Sequence, residues 1–95
     1  MNVTNVTVTK VAEEKTANGL YVLEYSSVNG ELNRVQATIQ EREADQSGYQ
    51  PIIGSIYLEQ GNVSCNLPND RNLAPYFTDF DILLKAIREA ILKEE

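Results

Sequence analysis

LYVLEYSSV-NG-ELNRVQATI, residues 20–39, decides the fold: a strand-forming run, an Asn29-Gly30 dipeptide, and a second run in which Val35, Ala37 and Ile39 alternate with polar neighbours. A two-residue hairpin turn needs positive φ at its centre, and Asn and Gly accept that at the least steric cost. The stretch therefore reads as two antiparallel strands, 20–28 and 31–43. Turn geometry fixes register, so the tip at Asn29-Gly30 sets Val22 opposite Ala37, Leu20 opposite Ile39 and Glu24 opposite Val35.

Asn18-Gly19 lies upstream, and it predicts a further hairpin to a first strand over residues 3–17. There Val3, Val6, Val8 and Val11 interleave with Thr and Asn, a β-branched composition that suits a half-buried pleated surface. This turn sets Ala17 opposite Leu20, Lys15 opposite Val22, Glu13 opposite Glu24 and Val11 opposite Ser26. One face then gathers Val11, Ala17, Leu20, Val22, Val28, Val35, Ala37 and Ile39, the expected core. The other displays Tyr21, Leu23 and Tyr25 with Arg34, Gln36 and Thr38. Glu13 opposite Glu24 conflicts with this register, since two carboxylates would meet on the core side. A position near the rim or a bulge in the first hairpin resolves it.

Downstream, residues 44–51 combine Ser, Asp, Gly and Pro and read as a loop. Strands follow at 52–60 and 63–67 around Gly61-Asn62, with Leu58 opposite Cys65 and Ile56 opposite Leu67. That pairing makes Cys65 a small buried hydrophobe rather than a nucleophile. Pro68 to Pro75 form an irregular connection, and Thr78 with Asp81 resembles a capping box at the start of a helix over 79–94. Phe80, Leu83, Leu84, Ile87, Ala90 and Ile91 recur as one apolar stripe, enough to cover one sheet face. The expected fold is α+β: a single domain, 1–95, with an antiparallel four- to five-stranded sheet packed on one face by a C-terminal helix.

Composition bounds the function. Ninety-five residues carry a net charge of −6, and each half, 1–50 and 51–95, holds 4 bases and 7 acids. Nucleic-acid binding is dominated by phosphate neutralisation, so an evenly acidic chain counts against it. No stretch approaches the roughly 20 apolar residues of a membrane-spanning helix, and the opening Met-Asn-Val-Thr lacks the basic start of a secretory leader. A cytoplasmic location is expected, with no membrane partner. The Asn-x-Thr/Ser triplets at Asn2, Asn5 and Asn62 then read as strand alternation and a turn rather than as glycosylation sites.

Histidine is absent, which removes the commonest general base and metal ligand. Asp79 and Asp81 are explained by the positive end of the helix dipole without a cation. Glu13, Glu14 and Glu24 could form an acid/base pair, but edge solvation accounts for them. No phosphate loop, nucleophile elbow or Cys-x-x-Cys is present. No catalytic residue, metal or cofactor is expected.

The candidate interaction surface is Tyr21, Leu23, Tyr25 and Arg34, because exposed aromatics beside Arg are what interfaces favour. The leading expectation is a non-enzymatic protein-interaction or assembly module, self-associating through this face or through a sheet edge. An acidic inhibitor or immunity-type protein that occludes a basic partner is a second expectation. A third is a single-stranded nucleic-acid binder stacking bases on Tyr21 and Tyr25; the order of elements resembles the Pur and whirly folds in that order alone, and no family follows from it.

Overall fold

The computed structural model describes residues 6–93; the first three residues of the expected first strand, the triplet at Asn2, the asparagine of the triplet at Asn5, and the helix end at Glu94 lie outside the described residues. Five antiparallel strands run in sequence order: β1 (Thr7–Lys15), β2 (Leu20–Val28), β3 (Glu31–Gln40), β4 (Ile52–Glu59) and β5 (Asn62–Asn66). One helix, α1 (Ala74–Lys93), packs on one sheet face against residues of β2, β3 and β4, so the fold is α+β.

The β2–β3 turn forms as its dipeptide requires, with φ of 52° at Asn29 and 81° at Gly30, and Val28 pairs with Glu31. That register does not survive the strand. Ser27 pairs with Leu32 but Ser26 pairs with Arg34, leaving Asn33 as an extra residue in β3. Beyond this bulge Tyr21 faces Ile39, Leu23 faces Ala37 and Tyr25 faces Val35. The one-residue slip inverts the face of β2 relative to the expectation. Its physical reason is burial. Without the bulge, Glu24 would enter the core beside Val35 while three large apolar side chains faced water. With it, Glu24 faces outward within 3.7 Å of Arg34.

The first hairpin also departs from expectation. Lys15 pairs with Leu20, so Thr16 to Gly19 form a four-residue connection, and Glu13 lies opposite Val22 while Glu24 lies opposite Val11. The carboxylate clash disappears without a bulge in β1. Gly19 is needed for room: a Cβ there would lie 2.8 Å from the Gln40 carbonyl oxygen and 3.1 Å from Ile39 Cγ2. The third turn is Gln60-Gly61, with φ of 52° and 80°, one residue earlier than the sequence implied. Leu58 consequently pairs with Val63, and Ile56 with Cys65.

The helix begins at Ala74, five residues before the expected start. Asn72 Oδ1 accepts the Ala74 N–H at 3.2 Å, which satisfies one of the donors that a helix start leaves open. Pro75 sits in the first turn, where its missing N–H costs nothing. Thr78 is inside the helix, its hydroxyl donating back to the Ala74 carbonyl at 3.1 Å, so the capping box is not used. Tyr76, Phe80, Leu83, Leu84, Ile87 and Ile91 are buried along one stripe. They pack against Tyr21, Leu23, Tyr25, Val35, Ala37, Ile39, Ile56 and Leu58.

Candidate interaction surface

The four residues singled out from sequence do not form one surface. Tyr21 has no exposed area, Leu23 is 3% exposed and Tyr25 9%, all three beneath α1. Arg34 is half-buried on the opposite face, bound to Gln36 Oε1 at 3.0 Å and paired with Glu24. The tyrosines are core. This also removes Tyr21 and Tyr25 as platforms for stacking nucleic-acid bases, since a buried ring has no free face to offer.

Tyr21 instead belongs to a clamp between helix and turn. Asp79 Oδ2 accepts hydrogen bonds from Thr16 Oγ1 at 2.8 Å, Asn18 Nδ2 at 2.9 Å and the Tyr21 hydroxyl at 2.9 Å. Burial, followed by the hydrogen bond to Asp79 and its charge, holds the Tyr21 phenol well above its ordinary ionisation range. The Asp79 oxygen thus fastens the β1–β2 connection to α1. Asp81, two residues on, pairs with Lys85 at 3.2 Å on the exposed side. The two aspartates have separate partners. Among the described residues, no group of three or more His, Cys, Asp or Glu side chains is placed to hold a metal ion.

The 44–51 loop is organised by Asp45, whose Oδ1 accepts from the Ser47 N–H, the Ser47 hydroxyl and the Tyr49 N–H at 2.9, 2.6 and 3.1 Å. The Ser47 hydroxyl and then the Tyr49 amide hold this carboxyl below its usual range. A shallow groove of about 190 Å³ runs between β1 and α1, lined by Ala12, Leu23, Tyr25, Ala86 and Ala90, with Glu13 and Glu14 at its rim.

The sheet's two edges differ sharply. The edge strand β1, Thr-Val-Thr-Lys-Val-Ala-Glu-Glu-Lys, carries four charged residues, and Lys15 pairs with Glu43 at 3.3 Å. Charges along an edge are a standard defence against pairing with another chain. The edge strand β5, Asn-Val-Ser-Cys-Asn, carries no charge and no proline. All five of its residues are exposed, including Val63 at 54% and Cys65. Cys65 is therefore not the buried hydrophobe the sequence implied. It faces Ile56 on the helix side of the sheet, but α1 stops short of covering β5. Phe77, 38% exposed, lies on the helix flank opposite Ala86 and the β1 groove, because nine residues at 100° each end half a turn away.

Among the described residues β5 is thus an unpaired, uncharged strand edge whose helix-side residues are apolar and open to water. The sequence places the strand and allows self-association through the tyrosine face or a sheet edge; the bulge at Asn33 exchanges inside for outside, so that face is core and the edge is left. The signal that pointed to the edge was the absence of Lys, Glu, Asp and Pro from residues 61–67. No protein family, curated protein or solved structure matches this chain.

Proposed function

We propose that the protein is a non-enzymatic interaction module that takes an extended segment onto the open edge of β5. The observation that carries this is the contrast between a charged edge at β1 and an uncharged one at β5 whose five residues are all exposed. Strand addition derives affinity from main-chain hydrogen bonds and selectivity from alternate side chains. At β5 the alternate residues on the helix side are Val63 and Cys65. An added strand would present apolar residues there and polar ones opposite Asn62, Ser64 and Asn66. The acidic-inhibitor reading has only the net charge of −6 behind it.

The test is selection of extended ten-residue peptides from a display library against the full chain. Binders should alternate apolar and polar residues and should protect the Val63 and Cys65 amides from hydrogen exchange. Val63→Lys should keep the fold and abolish capture, because it places a charge on the edge. Binders that protect only the Ala12 and Ala86 groove, or that bind Val63→Lys equally well, would sink the reading.

A further inference from the structure

From the strand-addition reading, on which this rests, we infer that the segment β5 accepts is the β5 strand of a second copy, paired antiparallel about a two-fold axis through Ser64. The strand reads Asn62-Val63-Ser64-Cys65-Asn66, polar and apolar in a pattern that is the same in both directions. Antiparallel pairing reverses one copy, so only such a pattern meets itself like against like. Centred on Ser64, Val63 faces the partner's Cys65, Ser64 faces the partner's Ser64, and Asn62 faces the partner's Asn66.

The backbone has the matching phase. Glu59 and Asn62 flank the two-residue Gln60-Gly61 turn, so they form a hydrogen-bonded pair, and Ser64 and Asn66 follow at alternate positions toward β4. The N–H and C=O groups of Val63 and Cys65 therefore point outward. In the Ser64-centred register these groups meet those of the partner's Cys65 and Val63, and all of them are satisfied.

Side chains agree on both faces. On the helix side, the apolar row Tyr25, Val35, Leu58, Val63 continues into the partner's Cys65, Ile56, Ala37 and Leu23. On the other side, Glu59 beside Asn62 is continued by the partner's Asn66 and Ser55, so no carboxylate meets a carboxylate. The product is a ten-stranded antiparallel sheet with both helices on one side. A five-residue ladder falls among small, weak interfaces. Each chain carries −6, so added salt should strengthen the pairing by screening the long-range repulsion.

The experiment oxidises single-cysteine variants of the full chain and follows covalent dimer. In a Cys65→Ser background, Ser64→Cys puts two thiols at a non-hydrogen-bonded antiparallel pair, where Cα atoms lie about 4.5 Å apart, inside disulfide reach. Asn62→Cys, also exposed and on the same face, lies four residues out of register with its copy and serves as the comparison. Ser64→Cys should cross-link several-fold faster, and in the unsubstituted chain the Val63 and Cys65 amides should exchange more slowly as concentration rises. Equal cross-linking rates, or concentration-independent exchange at those amides, would overturn the self-pairing. A chain that stays monomeric yet captures peptides at β5 overturns the self-pairing and leaves the strand-addition reading standing; failure of both removes both.

Discussion

At the scale of single residues, Asp79 ties the helix to the first hairpin and to Tyr21. One carboxylate oxygen receives three hydrogen bonds, from Thr16, Asn18 and Tyr21. Replacing Tyr21 by Phe removes a hydrogen bond to a charged acceptor, a loss on the order of 1 to 3 kcal/mol at neutral pH. That loss should depend on pH. The folded state holds the phenolic proton more tightly than the unfolded chain does, so its contribution is complete below the unfolded pKa of about 10 and fades as pH rises above it. Urea unfolding should therefore show the gap between wild type and Tyr21→Phe narrowing above about pH 10; a constant gap would mean that the phenol is not bonded as described. No sequence pattern announced this clamp, because Asp79 and Asn18 are 61 residues apart and only the packed helix brings them together.

At the scale of elements, what was legible followed from local periodicity. The stripe from Phe80 to Ile91 names the buried helix face directly, and the alternation of Val35, Ala37 and Ile39 names the buried face of β3. The face of β2 was hidden, because Leu20 and Val22 are as apolar as Leu23, and the choice between faces hangs on whether Asn33 is counted in the ladder. Global burial of Tyr21, Leu23 and Tyr25 outweighed the regular pairing that the turn alone dictates. Deleting Asn33 should consequently be tolerated, at a cost of about 1 to 3 kcal/mol, since Leu32 and Arg34 would still pair with Ser27 and Ser26 in an unbroken ladder. Deleting Gln36 should abolish folding by turning Ala37 and Ile39 to the solvent side. Circular dichroism with urea titration checks both, and equal outcomes for the two deletions would count against the bulge. Cys65 was misplaced for a related reason: its strand pairing does not reveal how far α1 extends across the sheet.

For the whole molecule, one helix cannot cover five strands, and the sheet leaves one edge defended by charge and the other bare. No described helix is long and apolar enough to cross a membrane. The functional proposal follows from that asymmetry, and it requires the tyrosine-bearing side of β2 to be core and not interface. The most direct test is the full chain carrying Tyr21→Ser and Tyr25→Ser together, followed by far-ultraviolet circular dichroism. Removing two buried aromatics costs roughly 3 to 5 kcal/mol each, comparable with the roughly 5 to 15 kcal/mol that holds a domain together, so the double variant should be unfolded at 25 °C. A double variant that keeps the wild-type spectrum and melting transition, and loses only its capacity to associate, would contradict the account and return function to the tyrosine face.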